Sequence, residues 1–354
     1  MSLTATGPTL TAPESKGSSN EKTLVFKDVN ETVYVNAKNV NLRKNPMMES
    51  EVIKKLKKGE KLTRIGVHEE WSKIIYNNNL AYISTPYLSS IAAEEADISD
   101  PKLIKEIPIR LDPSWTYALN AKITSGTAML YKADTKRKNI TICLNAGHGT
   151  KGGEALKVLS HPDATPRVTG GEGEEGETSE AAISPGITFL DGSSEAEATL
   201  KLANMLKTEF LSRGYDVLMI RGGEDVQLDN IARAVIANNT SNCHISLHWD
   251  STDTNKGAFY MGVPEVPAYR AMEPVASNWK KHEALGENLI KGLKAEGIKI
   301  FSEGRLPMDL IQTSYSTIAS VDLELGDRAS TNSKEEMKKM VKGIADGVDS
   351  YFGQ

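Results

Sequence analysis

Two histidines stand at the ends of apolar segments that have the composition of buried strands. Residues 141–149 run into a histidine between two glycines, His148, and residues 243–248 end in His248. Residues just beyond the carboxyl ends of parallel strands form the binding crevice of an α/β sheet. This placement predicts a metal site that the fold assembles, and a metallohydrolase is the first hypothesis. The alternative for each histidine is a structural residue with satisfied hydrogen bonds.

The third ligand is expected to be a carboxylate, because two histidines and a glutamate are an established ligand set of catalytic zinc. Glu195 is the best candidate. Ser194 and Glu197 have the spacing of a helix capping box, which would engage Glu197 with the backbone and leave Glu195 available. The alternative for Glu195 is a favourable interaction with the helix dipole alone.

Cys143 and Cys243 each precede a candidate histidine by five residues. Because side chains alternate between the faces of a strand, this odd offset predicts that both cysteines point away from the histidines. We expect buried free thiols. A disulfide would need neighbouring strands with unusual geometry.

Length and charge set the broad class of the protein. A chain of 354 residues predicts two domains, and a formal net charge of −5 does not favour nucleic-acid binding. No apolar run reaches the roughly 18 residues that span a bilayer. The first residues lack the features of a secretion signal, so the protein is either cytoplasmic or has lost a signal.

Four regions follow one another along the chain. Residues 1–30 predict a flexible tail, and the short alternating segments of residues 31–90 predict a small β-barrel. Residues 91–138 are expected to be a connector with some β structure and a short helix from about Ile91. Between residues 139 and 354, strands and helices alternate, which predicts an α/β domain with a mostly parallel sheet covered by helices.

The barrel region resembles a bacterial SH3 domain, the type attached to cell-wall enzymes. The resemblance depends on Asn41-Leu-Arg43, Gly59, Trp71 and Ala81-Tyr-Ile83, with Ala81 where that family usually has glycine. It implies attachment to the wall, and the alternative is a structural appendage. Residues 31–88 carry ten Lys or Arg against six Asp or Glu, which would suit an anionic polymer or an ordinary solvated surface.

Residues 139–354 resemble the zinc-dependent N-acetylmuramoyl-L-alanine amidases of the type 3 catalytic family. The landmarks are Ala146-Gly-His148-Gly, Glu195 at the start of the helix before Arg213-Gly-Tyr-Asp-Val217, Ser246-Leu-His248, and Leu323-Glu324-Leu-Gly326. Arg221 and Arg233 also fit the family pattern.

The resemblance implies that His148, Glu195 and His248 bind zinc and that Glu324 is the catalytic carboxylate. The implied reaction is hydrolysis of the amide bond between N-acetylmuramic acid and L-alanine in bacterial peptidoglycan. The implied location is secreted or associated with the cell wall, with a signal removed. Two alternatives stay open: a wall-binding protein with an inactive amidase domain, and a related zinc peptidase or deacylase.

Several positions depart from the family pattern. Asp322 replaces an apolar residue and is expected to share a strand face with Glu324. It would be a structural ion-pair member, which we prefer, or a partner of a ligand histidine. Trp249, where a small residue is usual, is predicted to stack on a sugar or stem peptide, or else to pack under a loop. Asp327 replaces an aromatic residue and is expected to alter the pocket wall.

An insertion at residues 151–191 separates the segments of His148 and Glu195. Residues 170–177 are acidic and rich in glycine, a composition that cannot form a core of its own. We expect a mobile surface loop. The sharper hypothesis is that the insertion flanks the crevice and gates the substrate, because both of its ends join ligand-bearing segments. His161 lies in this insertion and is not included among the ligands.

Overall fold

The structure is a computed structural model that describes residues 24–35, 39–68, 70–77, 79–89, 106–171 and 173–354. The chain divides into two compact units, residues 1–103 and residues 104–354. Most of the predicted tail and the helix predicted from Ile91 lie outside the described residues. No helix in the described ranges is both long and apolar enough to cross a membrane.

The first unit contains a small antiparallel sheet. Its strands are β1 (Lys27–Val35), β2 (Val40–Arg43), β3 (Val52–Leu56), β4 (Lys61–Val67), β5 (Trp71–Tyr76), β6 (Asn79–Ser84) and β7 (Leu88–Ser89), with a 3-10 turn at Thr85–Tyr87. Their order in the sheet is β3-β2-β6-β5-β4-β1-β7. Alternation along β1 buries Val33 and Val35, and they share a core with residues of β2 to β6 that includes Ala81. The predicted all-β fold is confirmed, and β1 begins inside the predicted tail.

The second unit contains a larger sheet, a separate hairpin and six helices. The sheet strands are β8 (Glu106–Ile109), β9 (Ala128–Tyr131), β10 (Thr141–Ala146), β13 (Asp216–Met219), β14 (Cys243–Asp250), β15 (Ala258–Gly262), β16 (Ile300–Pro307) and β17 (Ala319–Asp327). The hairpin is β11 (Lys157–Leu159) and β12 (Ser179–Ala181). The helices are α1 (Glu195–Ser212), α2 (Asn230–Thr240), α3 (Pro267–Ala271), α4 (Val275–Ala295), α5 (Ile311–Tyr315) and α6 (Lys334–Phe352), with 3-10 turns at Ala118–Asn120 and Gly153–Ala155.

The strand order of the larger sheet is β16-β15-β17-β14-β10-β13-β9-β8. The central strands β13, β10, β14 and β17 are parallel, as the alternation of strands and helices predicts. The sheet as a whole is mixed, because β9 pairs antiparallel with β13 and β15 pairs antiparallel with β17. The region predicted as a connector contributes β8 and β9, which extend this sheet.

Helices cover both faces of the sheet. Helices α1, α4 and α6 pack on one face, and Cys243, Ile245 and Leu247 of β14 point into that core. Helices α2 and α5 lie on the opposite face, which therefore receives the alternate side chains of β14. Helix α6 buries an apolar face in the first of these cores, formed by Met337, Met340, Val341, Ile344 and Val348.

Both cysteines are buried and free. Cys243 lies on the face opposite His248, as predicted. Cys143 does not point away, because it pairs in register with His244 and so shares the face of His248. The offset rule fails here because His148 comes after the end of β10, where strand alternation stops. The two thiols face opposite cores, so this arrangement does not allow a disulfide.

Candidate metal centre

Three ligand-type side chains converge at the carboxyl ends of β10 and β14 and the start of α1. Nε2 of His148 lies 2.8 Å from Oε1 of Glu195 and 3.0 Å from Nδ1 of His248. Nδ1 of His248 lies 3.1 Å from the same carboxylate oxygen. Within the described ranges, no other group brings together three such residues.

The donor set fits a zinc ion. Two imidazoles and one carboxylate are an established ligand set, and bonds of about 2.0–2.2 Å at tetrahedral angles separate ligand atoms by roughly 3.3–3.5 Å. The observed separations of 2.8–3.1 Å need only a small outward movement to match. His148 and Glu195 are 5% and 1% exposed, so the fold removes these ligands from water.

Glycines allow the two histidines to approach each other. A Cβ atom on Gly147 would lie 2.3 Å from Cε1 of the His248 ring, closer than any side chain tolerates. His148 itself has a φ of 63°, in the left-handed region, and Gly149 follows with a φ of 72°. This turn brings the rings of His148 and His248 to a centroid distance of 4.6 Å, edge to face. The glycines that bracket His148 therefore have a steric role.

Two buried arginines hold the turn that carries His148. Arg221 donates to the carbonyl oxygens of Ala146 and Gly147, both at 3.0 Å. Arg233 donates to the carbonyl oxygen of His148 at 2.6 Å. Burial lowers the pKa of Arg221 to about 10 and that of Arg233, also beside the Arg221 charge, to about 9. Both still carry a charge at neutral pH. Sequence reasoning matched these arginines to a family pattern but did not find this role.

Backbone hydrogen bonds position Glu195, and the capping box predicted between Ser194 and Glu197 does not form through the serine. Ser194 is the N-cap residue of α1, but its side chain makes no capping hydrogen bond. The N–H of Ile187 donates to Oε2 of Glu195 at 2.8 Å, and that of Trp249 donates to Oε1 at 3.0 Å. Burial would raise the pKa of Glu195, but hydrogen bonds with the two histidines hold it well below the ordinary value. The carboxylate stays charged and faces the cluster.

The insertion also contacts the ligands. The carbonyl oxygen of Ser184 lies 2.9 Å from Nδ1 of His148, so it accepts a hydrogen from that nitrogen and leaves Nε2 for a metal. Gly186 packs against the same ring, where a Cβ atom would come within 2.7 Å of Cδ2. The insertion therefore forms one wall of the site, as the sharper hypothesis of an insertion beside the crevice predicts.

A buried cluster of charges anchors the insertion, contrary to the expected surface loop. Arg167 donates to Glu180 at 2.6 Å and to the carbonyl oxygen of Asp309 at 2.9 Å. His161 lies 3.1 Å from the Asp309 carboxylate and does not join the metal cluster. The insertion is therefore anchored by Asp309, far along the chain, while most of residues 170–177 are exposed, as expected of a sequence without a core of its own.

Glu324 lies beside the metal cluster on β17. It pairs in register with His248 across the parallel strands, so the two side chains share a face. Glu324 is 8% exposed, and its Oε2 has no hydrogen-bond partner among the described residues. Burial and the neighbouring Asp322 charge raise its pKa well above the ordinary value. Such a carboxyl is suited to receive and return a proton.

The electrostatic environment of His248 favours positive charge. Oδ2 of Asp322 lies 3.7 Å from Nε2 of His248. Burial alone would lower the pKa of His248, but Asp322, Glu195 and Glu324 outweigh burial and raise it to about 10. A site that stabilises a cation in this way is also suited to a divalent metal.

Two other sequence expectations differ from the structure. Trp249 is 2% exposed and packs edge to face on Phe189, with ring centroids 5.7 Å apart. It presents no open face to a sugar, so the structure argues against the predicted stacking. Asp327 is fully buried and accepts the N–H groups of Thr254 at 3.1 Å and Lys256 at 3.0 Å. It organises the loop after β14 instead of forming a pocket wall.

Two family models match this chain. A family model described as N-acetylmuramoyl-L-alanine amidase matches residues 142–350, and one described as bacterial SH3 domain matches residues 38–89. No curated protein matches the chain.

Several solved structures are similar in part. The N-acetylmuramyl-L-alanine amidase Ami1 from Mycobacterium smegmatis is 19% identical and has a TM-score of 0.49, over 61% of this chain and 97% of its own. Ami1 from Mycobacterium abscessus is 18% identical with a TM-score of 0.47, over 60% and 99%. The catalytic domain of the amidase CwlV from Bacillus (Paenibacillus) polymyxa is 16% identical with a TM-score of 0.43, over 60% and 98%.

Proposed function

Because the chain belongs to the N-acetylmuramoyl-L-alanine amidase family, we propose that it hydrolyses the amide bond between the lactyl group of N-acetylmuramic acid and L-alanine in bacterial peptidoglycan. The observation that carries this proposal is the convergence of His148, Glu195 and His248 on one point, with Glu324 paired in register with His248. Family membership indicates the substrate class, and the cluster provides ligands for a metal ion that could promote hydrolysis of an amide.

In this proposal, His148 through Nε2, His248 through Nδ1 and Glu195 through Oε1 hold a zinc ion. When bound, zinc supplies Lewis acidity and lowers the pKa of a coordinated water from about 15.7 toward about 7. The backbone donors of Ile187 and Trp249 keep the Glu195 carboxylate turned toward the other two ligands.

In the proposed reaction, Glu324 transfers a proton from the attacking water to the leaving nitrogen. It accepts one proton from the attacking water as the oxygen bonds to the amide carbon, and it gives that proton to the leaving nitrogen as the carbon–nitrogen bond breaks. The products are a muramic acid carboxylate and a stem peptide with a free L-alanine amine. A raised pKa supports this role, since a carboxylate of ordinary basicity would accept the proton from water less readily.

The SH3 domain would aid attachment to the cell wall, and the protein would act as a secreted or wall-associated enzyme. The excess of basic over acidic residues between positions 31 and 88 supports binding to an anionic polymer. This part of the proposal is independent of the catalytic site.

Identification of the products on purified cell wall tests the proposed reaction. Mass spectrometry should find stem peptides that begin with free L-alanine, and a chelator should abolish their release until zinc is added. A protein that binds no metal and releases nothing would favour a wall-binding role. A zinc-loaded protein that cleaves another amide bond would favour a peptidase or deacylase.

A further inference from the structure

Asp322 faces the side of His248 that is turned away from the ligand cluster. Nδ1 of His248 lies within 3.1 Å of both His148 Nε2 and Glu195 Oε1. The other ring nitrogen, Nε2, lies 3.7 Å from Oδ2 of Asp322. One imidazole ring therefore connects the cluster to a carboxylate behind it.

Strand register explains this position. Strands β14 and β17 are parallel, with Ser246 opposite Asp322 and His248 opposite Glu324. Asp322 thus lies on the same face of the sheet as His248, two residues before Glu324 along β17. The side chains of His248 and Asp322 are only 14% and 13% exposed. Since little water screens them, the attraction between carboxylate and ring is stronger than at a surface.

The two histidine ligands are placed alike, although the contact behind His148 is a hydrogen bond and the longer one behind His248 is an ion-pair contact. Each presents one ring nitrogen to the cluster and the other to an oxygen. For His148 that oxygen is the backbone carbonyl of Ser184 at 2.9 Å, and for His248 it is the Asp322 carboxylate. A neutral imidazole has one donor and one acceptor nitrogen, so an acceptor behind the ring selects the tautomer that can bind a metal in front.

We propose that Asp322 is a positioning residue that holds His248 with Nδ1 toward the metal and its hydrogen on Nε2. This proposal rests on the metal site of the proposed function. The family usually has an apolar residue at position 322. Such a residue would supply no acceptor for the Nε2 hydrogen. Asp322 would therefore increase metal affinity through His248 without touching the metal or the substrate.

Zinc affinity of full-length variants tests the proposal. Asp322→Leu should bind zinc about 10–100-fold more weakly than the wild type in a chelator competition, as expected when a partner of a ligand histidine is lost. Asp322→Asn keeps an acceptor oxygen without the charge and should lose less. The matched control is Asp216→Asn. Asp216 is another buried acid of the same sheet, and its partner is Arg137 rather than a metal ligand. This control should stay within about twofold, because Asp216 contacts Arg137 and no metal ligand.

A spectroscopic measurement separates positioning from a general effect on stability. In the zinc-loaded protein labelled with ¹⁵N-histidine, the Nε2 hydrogen of His248 should resonate further downfield and exchange more slowly than in Asp322→Leu. The leucine variant also keeps the test valid if the asparagine variant does not fold.

Unchanged zinc affinity in both Asp322 variants, or equal weakening in Asp216→Asn, would overturn the proposal. A wild type that binds no zinc would overturn it together with the metal site. If instead the wild type binds zinc, depends on Asp322 and leaves muropeptides intact, the proposed function fails while the role of Asp322 stands. Neither measurement involves substrate, so the two failures are distinguishable.

Discussion

Close packing at single residues decides whether the ligands can meet. His148 and His248 approach edge to face only because Gly147 has no side chain to separate them. The ring of His148 is similarly bounded by Gly186. These glycines bind nothing, yet they set the distance between the ligand atoms.

Replacement of Gly147 by alanine should therefore impair metal binding. The new Cβ would lie 2.3 Å from the His248 ring, and that ring would have to rotate or move. We expect the zinc affinity, measured by chelator competition, to fall at least tenfold. This is the lower end of the loss that follows when the support of a metal ligand is disturbed. Gly222→Ala is the control, because a Cβ there meets nothing within 4 Å. Equal affinities of the two variants would contradict the steric role.

Glu324→Gln should separate catalysis from metal binding. Glutamine has nearly the same shape but cannot carry the proton, so the rate of muropeptide cleavage should fall about 10²–10⁴-fold. Zinc content should stay that of the wild type, since Glu324 is not among the three clustered ligands. The exposed Glu335 provides a matched control as Glu335→Gln. A Glu324→Gln protein with zinc and full activity would exclude the assigned role.

At the scale of elements, the insertion between β10 and α1 contributes residues that contact the ligands of the site. Its hairpin is anchored by Arg167, Glu180, His161 and Asp309, and its later residues Ser184 and Ile187 contact His148 and Glu195. Support for the ligands thus depends on a buried charge cluster outside the site. The gating hypothesis is a separate matter that these contacts do not test.

Asp309 should stabilise the protein in a pH-dependent way. Burial would raise its pKa, but hydrogen bonds from His161, Thr169 and the N–H of Val168 lower it below the ordinary value. Its contribution is therefore fully present above about pH 4, the usual unfolded value, and is lost as the pH falls through the lower folded value. Asp309→Asn should reduce the free energy of unfolding by about 3–5 kcal/mol at pH 7, the usual cost of breaking a buried ion pair.

Urea unfolding of the full chain between pH 7 and pH 3 measures this effect. The difference between the wild type and Asp309→Asn should shrink below about pH 4. Asp346→Asn on α6 is the control, because that carboxylate is 40% exposed beside Arg213 and should contribute at most about 1 kcal/mol. A difference that stays constant across this pH range would contradict the ionic role of Asp309.

At the scale of the whole molecule, two compact units share one chain. The ligand cluster, Glu324 and the insertion all belong to residues 104–354. The first unit, residues 1–103, contains the SH3 domain and none of these residues. Chemistry and proposed wall attachment can therefore be separated by truncation.

Removal of residues 1–103 should leave cleavage of a soluble muropeptide unchanged and reduce cleavage of intact cell wall. Release of dye from labelled wall measures the second activity, and added salt should weaken wall binding of the full chain because it screens the basic surface. Equal wall activity of the full and truncated chains would contradict a targeting role for the first unit.

Local patterns were sufficient to predict much of this protein. Apolar segments that end in His148 and His248, the helix start at Glu195 and the alternation around Glu324 depend on neighbours within a few residues. From these patterns the sequence predicted the α/β class, the β-rich first region and the three candidate ligands that the structure brings together. The role of Glu324 came from the family resemblance.

Only the tertiary structure decided how distant residues meet. Asp309 contacts His161 from 148 positions away, Asp322 reaches His248 through the register of two strands, and Trp249 is buried against Phe189. Local periodicity shows which face a side chain occupies, but it does not show what packs against that face. Those partners result from the packing of the whole chain, which is why the sequence did not reveal the anchor of the insertion and left Asp322 open between a structural ion pair and a partner of a ligand histidine.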